Sequence, residues 1–352
     1  MLHSGLRKIL LPCWLALSAG FPFQIVVAQS DVFSSTDVLE LTLESPYSKI
    51  NRSRGDDREY FPATIRYSSK EGIEVAIDLR IRTRGRSRSQ EDICRFPPLR
   101  LNFDSKGLQG TIFDGENNLK MVTHCQLQER YDQFVLLELL NYRLFNLFTN
   151  FSFRVRQLEI TYVDTETGTQ SGPRAAFIIE DEKKMISRIG MRLHEAERIT
   201  YHEYDSRSLN MVELYQYLIG NTDWSAFLVP AGENCCHNIV PVVRDDGRLI
   251  PIPYDFDATG MVNAPYSIPS PVLGIRSVRE RMYRGYCHEP TVVNENISGF
   301  IARREDVLAL IKSQPGFDQK TIDYATEYVG QFFDMLDDPV QLKSEISDTC
   351  RG

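Results

Sequence analysis

The sequence lacks a surplus of positive charge. Its 352 residues include 40 lysines and arginines against 48 aspartates and glutamates, a net charge of -8. That balance argues against general nucleic-acid binding, because nucleic-acid phosphates attract basic surfaces. The sequence also lacks internal repeats, and it has no apolar run after residue 28 that could cross a membrane. Hydrophobic residues make up 42% of it, enough for one large domain or two closely packed ones.

The first 28 residues have the features of an export signal. Arg7 and Lys8 precede an apolar segment that ends near Gly20, and small or aliphatic residues offer a cleavage point before Gln29. A membrane anchor is the alternative, but the segment is short for a span and prolines interrupt it. We therefore expect a signal peptide over residues 1–28 and an exported protein, periplasmic or secreted.

The cysteines fit no zinc-binding spacing. Six remain after the signal: Cys94, Cys125, Cys235, Cys236, Cys287 and Cys350. An even number in an exported chain favours disulfides, and we expect at least two, with Cys94–Cys125 plausible if their strands pair. A reactive thiol beside His237 is the alternative for the adjacent pair Cys235 and Cys236.

Hairpin patterns dominate the first half of the chain. Alternating apolar and polar residues predict strands at 38–43, 63–67, 73–83, 99–103, 119–123, 155–163 and 175–179. A helix is predicted at 131–150, where an apolar stripe recurs at helical spacing. From residue 180 onward the chain is predicted to be mainly helical, with further helices at 305–313 and 318–336.

Arginines recur at every second position at the end of the third predicted strand: Arg80, Arg82, Arg84, Arg86 and Arg88. While the strand lasts, such residues share one face. That face is either solvated or binds an anion. Gly85 favours the second interpretation, since a residue without a side chain lets backbone approach a phosphate.

Polar residues gather at the ends of elements between 217 and 260. A helix that starts with a capping box at Asn210 and Glu213 stops at Gly220, so Asp223 follows the helix end. Asn238 opens an apolar strand, a turn follows at 245–247, and the returning strand runs into Asp255.

Asn238, Asp255 and Asp257 therefore lie near the open end of one hairpin. Amide and carboxylate oxygens are what a hard cation such as Mg²⁺ requires, together with substrate phosphates. The pattern predicts a metal-phosphate site.

The order of these motifs resembles the CotH-like spore-coat kinase family. The matching elements are Asn221-x-Asp223, His237-Asn238, the hairpin, Asp255-Phe256-Asp257 and, upstream, Arg84-Gly85-Arg86-Ser87. The resemblance covers about residues 77–260. It implies an α+β, two-lobed protein-kinase-like fold, with a β-rich lobe at 29–179 and a helical lobe at 180–352.

The resemblance also implies an exported, metal-dependent kinase that moves phosphate from ATP or another nucleotide to a protein or small-molecule hydroxyl. Asp223 would orient the acceptor or take its proton. Mg²⁺ or Mn²⁺ would be held by Asn238, Asp255 and Asp257.

Nucleotide contacts follow from the same resemblance. Lys120 would pair with Glu138 on the next helix to hold phosphates, although Glu138 could instead lie on the wet edge of that helix. Arg84 and Arg100 would bind phosphate, and backbone at Glu180 would meet the adenine in an interlobe hinge.

Two other functions compete with the kinase. Asp255-Phe256-Asp257-Ala258-Thr259 after an apolar strand also matches the first motif of haloacid-dehalogenase phosphatases, with Asp255 as nucleophile and Asp257 as acid/base. Against it, Pro251 and Pro253 suit a central parallel strand poorly. The remaining alternative is a non-catalytic binding module on a degenerate kinase-like scaffold.

Overall fold

A closed β-barrel is built from the first seven strands. A computed structural model describes Met1 and residues 31–55, 58–227 and 235–352, so the predicted signal peptide lies outside the described residues. The strands are β1 (Leu39–Ser45), β2 (Phe61–Ser68), β3 (Glu74–Thr83), β4 (Leu99–Phe103), β5 (Asn118–Val122), β6 (Val155–Asp164) and β7 (Arg174–Ile179). They pair in the order β1-β2-β3-β4-β5-β7-β6, and β6 closes the ring by pairing in parallel with β1.

Alternation along the strands fills the barrel. In β4, Leu99, Leu101 and Phe103 are buried inside, whereas Arg100 and Asn102 point outward. The same period of two in the other strands adds aliphatic and aromatic side chains to one continuous core. Because the ring is closed, it leaves no free strand edge.

Most of the helices form a second core around a small sheet. The helices are α1 (Tyr47–Ile50), which packs in the barrel core, and α2 (Arg130–Phe148), α3 (Glu182–Arg188), α4 (Ser206–Leu218), α5 (Pro290–Ala302), α6 (Arg304–Ser313), α7 (Gln319–Asp337) and α8 (Pro339–Leu342). The small sheet has β8 (Arg192–Leu193), β9 (Ile239–Val243) and β10 (Leu249–Pro253), in the order β10-β9-β8. Although α2 lies between two barrel strands in sequence, its buried side chains belong to the helical core.

The expected two-lobed protein-kinase-like fold is wrong, because the β-rich part is a closed seven-stranded barrel. Sequence patterns predicted the strands but not their closure, which depends on a pairing between β1 and β6 from distant parts of the chain. The phosphatase alternative requires the strand that precedes Asp255 to lie inside a parallel sheet, and β10 does not meet this requirement. That strand lies antiparallel to β9 at the edge of the small sheet and not inside a parallel one.

Helix α4 starts five residues earlier than predicted. The side chain of Asp205 caps it by accepting a hydrogen bond from the Ser208 N–H at 2.8 Å. Asn210, the predicted cap, is instead buried inside the helix, and its side chain donates to the hydroxyl of Tyr283 at 3.3 Å. Helices α3 and α5 have no counterpart among the helices predicted above.

The expectation of at least two disulfides is confirmed. Cys94 bonds to Cys125, Cys235 to Cys236, and Cys287 to Cys350. The segments that carry Cys94 and Cys125 also pair, since the Phe96 N–H donates to the Cys125 carbonyl at 2.9 Å. These bonds are compatible with an oxidising, exported environment. In the part of the chain that the structure describes, no helix is both long and apolar enough to span a membrane.

Candidate functional site

A cavity of about 360 Å³ lies where the loop after β3 faces the segment after β10. One part of its wall is basic, with Arg84, Gly85 and Arg88, and another part carries carboxylates. A proline-rich segment that includes Ser267 and Pro269 also lines the cavity. The predicted site residues found on the cavity wall are Arg84, Asp223, Asp255 and Asp257.

Arg88 is at the centre of the site. Strand β3 ends at Thr83, so the arginines beyond it do not continue along a strand face. The chain turns at Gly85, whose φ of 92° is the left-handed conformation that glycine tolerates. A short 3₁₀ turn, Ser87–Ser89, then directs Arg88 inward, and its side chain is only 8% exposed.

Three carboxylates surround the guanidinium of Arg88. Its Nη1 lies 3.1 Å from Oε2 of Glu138, and its Nε lies 3.0 Å from Oδ2 of Asp257. Its Nη2 is 3.6 Å from Oδ1 of Asp255. The structure therefore brings together Glu138, Asp255 and Asp257 as a group around a residue that was absent from the predicted site. The only sequence signal for Arg88 was its position in the arginine alternation.

Helix α2 and the end of β10 position the acids. Glu138 and Tyr142 are one helical turn apart on α2, and both are buried. The Tyr142 hydroxyl accepts a hydrogen bond from the Asp255 N–H at 2.9 Å. Asp255 has a φ of 62°, an uncommon conformation for a residue with a side chain. The contact with Tyr142 helps to hold that turn where the carboxylates meet Arg88.

Burial shifts the acids toward their neutral forms. It raises the pKa of Glu138 to about 7, although the Arg88 charge opposes the shift. Burial likewise raises the pKa of Asp257 to about 6, against the effect of Arg88 and with help from the Asp255 charge. At neutral pH the carboxylate group is therefore less negative than its three formal charges.

Asp223 lies on the solvent-facing side of the cavity. Its Oδ1 is 2.8 Å from Nε2 of His237, and its backbone carbonyl accepts a hydrogen bond from the Asn238 side-chain amide at 2.7 Å. The hydrogen bond from His237 lowers the pKa of Asp223, which keeps the carboxylate ionised. Its side chain is 54% exposed. It can therefore meet a hydroxyl group that enters from solvent.

Lys120 does not form the expected pair with Glu138, which is bound by Arg88. The Lys120 ammonium lies 5.0 Å from the centre of the Tyr254 ring, and burial lowers its pKa, with the nearby charge of Arg84 adding to the shift. Arg100 lies on the outside of the barrel between Arg82 and Lys120, which face it across the neighbouring strands. Three cations thus form one row across β3, β4 and β5, and Lys120 at the end of the row lies near Arg84.

Glu180 connects neighbouring segments of the fold through its hydrogen bonds and does not line the cavity. Its backbone N–H donates to the Arg154 carbonyl at 2.9 Å. Its fully buried carboxylate accepts hydrogen bonds from Arg154 and Arg188, both at 2.9 Å. Since the backbone N–H already has a partner inside the protein, the expected adenine contact at Glu180 does not fit this geometry.

The expected metal ligands do not fit a divalent ion in this arrangement. Asp257 and Asp255 are turned toward Arg88, and the amide nitrogen of Asn238 is turned toward Asp223. Within residues 31–55, 58–227 and 235–352, no group of three histidine, cysteine or acidic side chains is arranged to hold a metal.

Comparison with known proteins gave no match, either to a protein-family model or to a curated protein.

Proposed function

We propose that the protein is an exported phosphotransferase that moves a phosphoryl group from a nucleotide to a hydroxyl group of a protein or small molecule. The observation that carries the proposal is the mixed lining of one cavity, which contains the basic Arg84 and Arg88 together with Asp223, Asp255 and Asp257. Phosphoryl transfer needs positioning and charge neutralisation more than covalent chemistry. Basic side chains and an exposed carboxylate in the same cavity supply both.

The basic wall supports an anionic donor. Arg84 is half-buried, and its Nε has no hydrogen-bond partner among the described residues. A buried donor without a partner is costly, and a phosphate oxygen would satisfy it. The row formed by Arg82, Arg100 and Lys120 lies nearby. Like charges on adjacent strands repel each other, and a bound polyanion would offset that cost.

Asp223 supports the acceptor side. In the proposed step the acceptor oxygen attacks the terminal phosphorus of the nucleotide, and the acceptor proton passes to the Asp223 carboxylate. The bond from phosphorus to the bridging oxygen breaks, leaving a nucleoside diphosphate. His237 holds Asp223 through its Nε2 contact, so the carboxylate keeps one orientation toward the incoming hydroxyl.

Calorimetric titration of the oxidised protein with ATP, paired with a transfer assay, tests the proposal. We expect Asp223→Asn to retain ATP binding and to lose transfer by about 10²- to 10⁴-fold, the usual contribution of a positioned acid or base. Asp245→Asn, the same change in the exposed β9–β10 turn, is the matched control and should keep both. Absence of ATP binding in wild type, with or without Mn²⁺, would reject the phosphotransferase.

A second candidate is a module that binds its ligand without turnover. The contact of Arg88 with Glu138 and Asp257 favours it, because carboxylates neutralised inside the protein are not free to assist a reaction. In that case wild type binds ATP without transfer, and Asp223→Asn changes neither result.

A further inference from the structure

One guanidinium contacts three carboxylates that come from different parts of the chain. Glu138 belongs to α2, whereas Asp255 and Asp257 follow β10. Three different nitrogens of Arg88 make the three contacts, at 3.1, 3.6 and 3.0 Å respectively. A divalent cation is normally bound by several acidic side chains in this way. Here the centre is a side chain.

The carboxylate group requires a cation at this position. The side chains of Glu138 and Asp257 are 2% and 16% exposed, and buried ionised acids are unstable without a positive partner. Oε1 of Glu138 is buried without a hydrogen-bond partner in the described chain. Arg88 is therefore the cation that the structure places against the other oxygen of Glu138.

The loop holds Arg88 in place. Arg58 donates to the Gly85 carbonyl at 2.7 Å and to the Ser89 hydroxyl at 3.3 Å. The Ser89 hydroxyl donates to the Arg86 carbonyl at 2.7 Å. The loop then reaches Cys94, which is bonded to Cys125. With its backbone fixed on both sides, the guanidinium is a permanent part of the site.

We propose that Arg88 is the built-in counter-cation of Glu138, Asp255 and Asp257 and occupies the position of a divalent ion, so that the cavity binds its ligand without a metal. The phosphate class of that ligand rests on the proposed function, whereas the occupation of the cation position does not. The proposal explains why two of the predicted metal ligands, Asp255 and Asp257, are present but turned toward an arginine.

Removal of Arg88 should convert the group into a metal site. We expect wild type to show no Mn²⁺ binding by calorimetry or by the electron paramagnetic resonance of free Mn²⁺, measured in mildly alkaline buffer. Arg88→Gln should bind one Mn²⁺ at least roughly 100-fold more tightly than wild type, since three carboxylates then lack a cation. Arg80→Gln is the matched control and should behave as wild type, because Arg80 is exposed on the barrel and bonded to Asn102.

Arg88→Gln leaves several buried acids without a partner and could fail to fold. The double variant Arg88→Gln with Glu138→Gln removes one negative charge together with the positive one. It is expected to fold and to bind one Mn²⁺ through Asp255 and Asp257, an affinity that Asp257→Asn added to it should abolish. Mn²⁺ binding by wild type that Asp257→Asn removes would overturn the proposal. So would a folded variant without Arg88 that binds no Mn²⁺.

A nucleotide arm separates this inference from the proposed function. Wild type should bind ATP with the same affinity in EDTA and in Mg²⁺, within about twofold, and an affinity that requires Mg²⁺ contradicts the inference. If ATP does not bind at all, the phosphotransferase fails, and the Mn²⁺ measurements still decide the role of Arg88.

Discussion

A single buried acid sets much of the pH behaviour expected of this protein. Glu138 on α2 is buried against Arg88, and burial raises its pKa to about 7. The folded chain therefore holds that proton more tightly than the unfolded chain does. By linkage, the resulting stability is fully present below pH 4.5, the ordinary value for the group, and is lost as pH rises through 7.

Glu138→Gln should remove this pH dependence. Between pH 4.5 and 7, the free energy of unfolding of wild type should fall relative to the variant by roughly 2–3 kcal/mol. Urea denaturation across that range measures it. Asp257 titrates in an overlapping window in both proteins, so the difference between them reports Glu138. Glu129→Gln, an exposed change at the residue that precedes the same helix, should follow wild type, and parallel curves for all three proteins would contradict the prediction.

Helix and hairpin ends explain which site residues the sequence could predict. Asp223, Asp255 and Asp257 follow elements whose periodicity is clear, and the structure brings them to one cavity. Arg88 could not be predicted, because strand periodicity ends at Thr83 and the inward direction depends on the turn at Gly85. The predicted pairing of Lys120 with Glu138 is not seen, because Glu138 is paired with Arg88. The direction of the Arg88 side chain could not be read from the sequence.

The Cys94–Cys125 bond fixes the end of the loop that carries Arg88. Replacing both cysteines with serine should cost about 2–4 kcal/mol of stability. It should also weaken ATP binding by roughly tenfold, because a less ordered loop must be fixed on binding. Calorimetry of the folded variant measures the affinity. The matched change at Cys287 and Cys350, a bond whose cysteines lie outside the cavity lining, should cost stability with ATP affinity unchanged. Equal losses of affinity in both variants would show that the effect is not local to the loop.

The molecule contains two hydrophobic cores, and the chain connects them. One core fills the barrel, and the other packs helices around the small sheet. Helix α2 belongs to the helical core but is inserted between β5 and β6. One contact between α2 and the rest of the helical core is the hydrogen bond that the Tyr215 hydroxyl donates to the backbone carbonyl of Asn141. Sequence patterns identified α2 and the strands separately, but they contain no information on how a helix from the β-rich half joins the other core.

We therefore expect the two cores to unfold together. Leu101→Ala in the barrel and Leu218→Ala in the helical core should each destabilise by about 2–5 kcal/mol, because both side chains are fully enclosed. Each should shift one shared calorimetric transition to lower temperature. Ile73→Ala, at a side chain 64% exposed, should leave the transition nearly unchanged. Two separate transitions, each moved by only one of the core variants, would show independent domains.

The parallel pairing of β1 with β6 also constrains the order in which the protein can fold. A newly made chain emerges from its amino terminus, so β1 is available long before its closing partner. Ser48, just after β1, bonds to Asp164 at the end of β6, and the two residues are 116 positions apart. Contacts of such long range form slowly, because a long loop must close before they stabilise anything. Until β6 arrives, one edge of β1 remains unpaired. A chaperone or other holding factor would therefore be most useful to this protein during synthesis of the segment from β2 to α2.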